Sequence, residues 1–156
     1  MKFFETSKQY SLKKSTYINL RWIGIIGQLI SIYLVFFFFN FDFNFIYSNI
    51  FIMLGVISNL YLVIFYKKTL LSDRSSFVYL FIDIFQLSGL IYLTGGVVNP
   101  FIIFLIIPSV FASSNLSLKT NSLLVLITVL SILFLTFYSE ALPGPLSNHF
   151  HVDAYY

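Results

Sequence analysis

Apolar residues fall in five runs along the chain, at 22–39, 50–66, 77–94, 101–113 and 123–138, each set off from the next by a short polar break. A helix needs about 20 apolar residues, at 1.5 Å of rise each, to cross a hydrocarbon core of about 30 Å. Most of the runs come close to that length. The one at 101–113 measures only about 20 Å as a helix, so the pattern predicts that it continues through Ser114-Asn115-Leu116-Ser117-Leu118. A kink is expected at Pro108, whose ring removes the donor for a carbonyl one turn earlier. The fold predicted is an all-α membrane protein, a bundle of about five transmembrane helices.

The sharpest interruption is Gly95-Gly96-Val97-Val98-Asn99-Pro100-Phe101, between the third and fourth runs. No single helix runs through it, because glycine admits conformations closed to other residues and proline lacks an N–H and pushes Asn99 out of the helical region. The segment reads as a tight re-entrant turn with free backbone N–H groups and one neutral amide at a membrane surface. Such a turn suits a small polar headgroup.

Composition agrees with a membrane protein. Of 156 residues, 58% are hydrophobic and 10% charged, where a soluble domain carries roughly 25% charged residues. The lysine-rich start imitates a secretory signal, but Phe36–Phe39 lead into Asn40-Phe41-Asp42 rather than small residues suited to cleavage. With no cysteine, disulfides, thiolate metal sites and redox-active thiols are excluded from this chain. His149 and His151 are only two imidazoles and do not complete a metal site.

Charge sets the expected orientation. Lys2, Lys8, Lys13, Lys14 and Arg21 precede the first run, Lys67, Lys68 and Arg74 lie between the second and third, and Lys119 lies between the fourth and fifth. Asp42, the heptapeptide, Glu140 and Asp153 fall on the other side. By the positive-inside rule the N-terminus is cytoplasmic and the heptapeptide faces the outer leaflet. Three segments follow: a cytoplasmic stretch at 1–19, a transmembrane domain at 20–138, and an extracytoplasmic tail at 139–156 broken by Pro143-Gly144-Pro145.

Polar residues within the runs are the candidate coupling elements. Asp83 and Gln86 stand one turn apart in the third run, and Gln28 and Asn59 are their natural partners from the first and second. A carboxylate in hydrocarbon is costly, so Asp83 is expected to face the bundle, as an interhelical packing bond or as a switch. Gly24, Gly27 and Ser31, with Gly55 and Ser58, are expected to let helices approach closely. Some 12 residues separate Asp83 from Gly95, about 18 Å of helix, so Asp83 should not touch a headgroup held by the turn.

Three segments together resemble a known family. Leu20-Arg21-Trp22-Ile23-Gly24-Ile25-Ile26-Gly27-Gln28, then Asp83-Ile84-Phe85-Gln86-Leu87, then Leu93-Thr94 running into the heptapeptide, resemble in order and spacing the membrane sensor region of the RegB/PrrB family of redox-responsive histidine kinases. The resemblance covers about Leu20 to Tyr138. It implies a six-helix sensor whose heptapeptide binds a quinone, ubiquinone or menaquinone, a role that falls here on Gly95, Gly96, Asn99, Pro100 and Phe101. It also implies the membrane lipids and quinone pool as partners, homodimerisation through a kinase region, a cognate response regulator for the full-length protein, and no nucleic acid.

The departures are large. A sixth run, a phosphoacceptor histidine followed by an acidic residue, a glycine-rich ATP lid and a cytoplasmic cysteine are all missing from the sequence. The expectation is a sensor portion of a longer kinase, ending before the last helix and without catalytic activity by itself. Two other classes remain open. A transporter component would use broken helices and buried carboxylates but usually more spans or repeats, and a lipid-modifying enzyme would need companions for Asp83 at the interface.

Overall fold

The computed structural model describes residues 12–140 and is helical throughout apart from a single short strand pair. Five α-helices follow in order: α1 Lys14–Tyr33, α2 Phe45–Phe65, α3 Asp73–Leu93, α4 Ile106–Asn115 and α5 Leu118–Phe137. A π-helical turn, Leu34–Phe38, extends α1. Two 3-10 segments, Gly96–Val98 and Pro100–Leu105, lie between α3 and α4. Strands β1, Leu12–Lys13, and β2, Leu70–Leu71, pair antiparallel and tie the start of α1 to the loop before α3.

Four helices are long and apolar enough to cross a membrane, and 100–115 forms a shorter apolar fifth. That short segment differs from the sequence expectation, because it ends at Asn115 instead of running on to Leu118. Leu116, at φ −116° and ψ 165°, is extended, and Ser117 caps α5 by accepting from the Thr120 N–H. No mid-helix kink is needed. Pro108 falls in the first turn of α4, where a missing N–H is harmless. The irregularity lies upstream as 3-10 helix, whose rise of about 2.0 Å per residue stretches the segment to about 27 Å.

Helix α3 is central, with half of its apolar window buried against 17–33% in the other three long helices. Leu80, Ile84 and Ile91 of α3 form the main core with Leu62, Leu105 and Leu124. The outer faces of the other helices carry exposed residues such as Ile23, Ile64, Val110 and Leu126, as a lipid-facing belt requires.

The two ends of the bundle differ. At one end lie β1, β2, the start of α3 and the start of α5, joined where Asp73 Oδ1 accepts from the Ser117 N–H at 2.9 Å and Oδ2 from the Ser117 hydroxyl. Lys13, Lys14, Lys67, Lys68, Arg74 and Lys119 belong to this end. At the other end Asn44 donates to Glu140 at 3.2 Å, and the Glu140 N–H donates to the Tyr92 carbonyl at 3.1 Å beside the glycine turn. His149, His151 and the proline break in the tail lie outside the described residues, as do Lys2 and Lys8.

Candidate functional site

The turn after α3 is built by two left-handed glycines. Thr94 ends the helix, Gly95 has φ 111° and Gly96 φ 55°, and the chain then makes one 3-10 turn before Asn99 returns to extended geometry. Gly96 has a second constraint, because a Cβ there would lie 2.2 Å from Ser139 Cβ and Oγ. The glycine therefore lets the end of α5 seat on the turn.

Asn99 is buried and its amide is largely committed within the protein. Its Oδ1 accepts from the Phe101 N–H at 2.9 Å, capping the 3-10 helix that Pro100 opens, and its Nδ2 donates to the Thr94 carbonyl at 3.0 Å and the Thr94 hydroxyl at 2.7 Å. Backbone donors of the turn are also engaged locally: Val98 N–H with Gly95 O and Asn99 N–H with Gly96 O. The sequence expectation of a freely presented amide thus meets a different geometry. One acceptor lone pair on Asn99 Oδ1 is left over. Phe101 is 42% exposed and stacks on Phe104 at 5.7 Å.

Lower in the bundle the intramembrane polar residues form two rungs between α1 and α3. In one, Asp83 Oδ1 accepts from Arg21 Nε at 2.8 Å and pairs with Nη2 at 2.7 Å, Oδ2 accepts from the Tyr17 hydroxyl, and Arg21 Nη2 also donates to Ser58 at 2.9 Å. The guanidinium lies over the Tyr17 and Tyr79 rings, 5.4 and 5.8 Å from their centroids. The second rung is Gln86 Nε2 donating to Gln28 Oε1 at 2.7 Å. Gln86 and Gln28 are thus brought together. Asp83 is not bonded to either, and Asn59 stands apart, donating to the Ile18 carbonyl at 3.4 Å.

Arg21 is the residue that sequence reasoning misplaced. Counted with the basic flank, it is instead seven residues inside α1 and only 7% exposed. Asp83 explains it, since a guanidinium buried this far in needs a carboxylate partner. The signal was present, because Arg21, Gly24, Gln28 and Ser31 recur at helical spacing on one face.

That face opens on a groove of about 820 Å³, walled by α1 on one side and by 100–111 on the other, with α3 as its floor. Gly24 and Gly27 line it, and nothing lies within 4 Å of a Cβ built at either. These glycines therefore do not serve close helix packing, as the sequence suggested; they widen a slot. Close approach occurs instead at Gly89, where a Cβ would meet the Phe51 ring at 2.1 Å. Tyr17 stacked on Phe111, with centroids 6.1 Å apart, stands across the groove at its basic end, and Asn99, Pro100 and Phe101 line the opposite end. Asp83 and the turn, separated by about 18 Å of helix, share one continuous groove.

An apolar slot of this volume with a few convergent polar groups is the usual form of a small-molecule site. The chain is similar to a sensor histidine kinase. Over 110 residues it is 28% identical to the sensor histidine kinase RegB of Cereibacter sphaeroides, a match covering 70% of this chain and 24% of that protein. The chain thus spans about a quarter of that relative's length, and the match falls on its membrane part. No family model and no solved structure matches the chain. The resemblance drawn from three short segments is therefore found again by a match that covers 70% of the chain.

Proposed function

We propose that this chain is the membrane input module of a two-component sensor histidine kinase, and that it senses redox state by binding a quinone in the groove between α1 and the 100–111 segment. The observation that carries this reading is the continuity of the groove from the turn to the Arg21–Asp83 rung. A volume of about 820 Å³ is within the range of ligand pockets. The lining is apolar enough for an isoprenoid chain and holds both donors and acceptors for a ring.

Redox discrimination follows from hydrogen-bond polarity. An oxidised quinone offers two carbonyl acceptors, whereas a quinol offers two hydroxyl donors. The remaining lone pair of Asn99 Oδ1 suits a quinol hydroxyl, and protein donors suit a quinone. Each tenfold preference corresponds to about 1.4 kcal/mol and shifts a helix-packing equilibrium only if the two arrangements bind one form unequally. The groove is placed for that, since its walls belong to different helices and any ligand that fills it bears on their separation.

In this reading the basic end, with Lys67, Lys68, Arg74 and Lys119, faces the bacterial cytoplasm, and the turn faces the outer leaflet. The kinase region, its homodimer and a response regulator belong to the longer protein. The test is titration of purified protein in lipid nanodiscs with a decyl-tailed benzoquinone and its quinol, followed by calorimetry. Saturable binding with different affinities for the two forms is expected. Binding of neither form would sink the reading.

A further inference from the structure

We propose that the quinone ring sits midway along the groove at Gln28, whose side-chain N–H donates to a ring carbonyl, an inference that rests on the quinone reading above. Gln28 Oε1 is already used, accepting from Gln86 Nε2 at 2.7 Å. The other edge of the amide is left over. Gln28 Nε2 bonds to no described residue, and because Gln28 is half-buried along the groove wall this donor is open where Arg21 Nη1 is sealed. Tyr17 and Arg21 are held by Asp83, and the Asn99 N–H groups are used on Thr94.

The open space of the groove lies at the same place. Gly24 is one helical turn before Gln28 on the same face, and no heavy atom lies within 4 Å of a Cβ built there or at Gly27. A side chain on a helix leans toward the N-terminal turn, so the Gln28 amide is carried toward Gly24. A flat ring laid on the glycines meets it edge-on.

Depth selects the kind of acceptor. Gln28 stands 14 residues beyond Lys14 and 10 before Phe38 in the first span, about 21 and 15 Å along the helix, which is near the middle of a hydrocarbon core about 30 Å thick. Water and lipid headgroups do not reach there. An amide donor facing this region without a partner is costly, and a carboxylate brought to it would carry a charge into hydrocarbon. A neutral carbonyl on a molecule that dissolves among acyl chains carries none. Turned over together, the Gln28 and Gln86 amides reverse their bond, and Gln28 then shows an oxygen that accepts from a quinol hydroxyl. Gln28 therefore fixes the position of the ring in either redox state. Gln86 is nine residues before Gly95, about 13 Å along α3, so a ring held here leaves the turn to its apolar chain.

Wild type, Gln28→Leu, Gly24→Leu and Asn99→Ala are titrated in nanodiscs with oxidised and reduced decyl-benzoquinone, with empty nanodiscs as the blank for partitioning. Infrared spectra of the bound oxidised ring, labelled with carbon-13 at its carbonyls, report whether a carbonyl accepts a hydrogen bond. Gly24→Leu fills the slot without altering the amide, and circular dichroism checks that each variant stays helical. The expected result is a carbonyl band shifted down in wild type and restored in Gln28→Leu, a loss of about two- to tenfold in the affinity of that variant for both forms, and a larger loss in Gly24→Leu. Unchanged affinity and an unchanged band in Gln28→Leu overturn the proposal whatever Gly24→Leu does. If Asn99→Ala then weakens binding, the ring sits at the turn and the quinone reading survives; binding of neither form by wild type removes that reading as well. Should Gln28→Leu fail to fold, Gln28→Asn, which draws the amide back by one methylene, takes its place with the same expected outcomes.

Discussion

Arg21 of α1 and Asp83 of α3 form an ion pair at 2.7 Å, with the arginine side chain 5% and the aspartate 21% exposed. Breaking a buried pair from one side leaves an uncompensated charge, which costs about 3–5 kcal/mol, whereas replacing both partners by apolar residues is often neutral. Asp83→Ala is therefore expected to destabilise the bundle by about that amount. Adding Arg21→Met should recover most of the loss, and Asp83→Asn, which keeps an acceptor for Arg21, should cost less. Thermal unfolding in detergent measures all four proteins, and a negligible effect of Asp83→Ala would show that the pair is not sequestered.

At Asn99 the acceptor and donor halves of the amide have separate duties. Asn99→Asp keeps an oxygen to cap Phe101 but loses both bonds to Thr94, and Asn99→Ala loses the cap as well. Loss of such a cap costs about 0.5–2 kcal/mol. The expected order of melting temperature is wild type, Asn99→Asp, Asn99→Ala. Equal melting of wild type and Asn99→Ala would show that the amide is not needed to hold the turn and leave it free for a ligand.

Much of the helical layout is legible in the sequence, for identifiable reasons. Apolar runs mark the long helices, and Gly95, Gly96 and Pro100 mark where a helix cannot continue. What escapes is equally specific. Helix α1 begins eight residues before Trp22 because Tyr17 and Arg21 look like polar flanks until Asp83 is placed beside them. The 3-10 stretch Pro100–Leu105 is uniformly apolar after its proline, so periods of 3.0 and 3.6 leave no different trace in six residues. Small residues at Gly24 and Gly27 announce space but not whether a helix or a groove occupies it. Asp83 was recognisable as a buried carboxylate, yet its partner was counted among the surface charges.

The two ends of the bundle give a direct test of orientation. Asn44 lies at the end with Glu140, and Ser72, the cap of α3, lies at the basic end. The chain has no cysteine, so single cysteines report without background. In intact cells a membrane-impermeant maleimide is expected to label Asn44→Cys and not Ser72→Cys. Labelling of Ser72→Cys alone would invert the orientation.

The seat of α5 on the turn rests on Gly96, which combines φ 55° with a Cβ position 2.2 Å from Ser139 Cβ and 3.0 Å from the Leu135 carbonyl oxygen. Gly96→Ala carries two separable costs. Left-handed geometry alone disfavours a side chain by about 1–2 kcal/mol, and the clash adds to it by forcing the end of α5 away. Ser139→Gly removes the nearest atoms without altering the backbone conformation of Gly96. Gly96→Ala should therefore be less destabilising in the Ser139→Gly background than in wild type, with a coupling in the range of about 0.5–3 kcal/mol typical of residues in contact. The Glu140–Tyr92 and Glu140–Asn44 bonds lie directly beyond this contact, so the same substitution should raise hydrogen exchange at the end of α5 and at Asn44 more than at the start of α3. Identical costs in the two backgrounds would mean that Ser139 does not rest on the glycine, and that the turn and α5 are free to move independently.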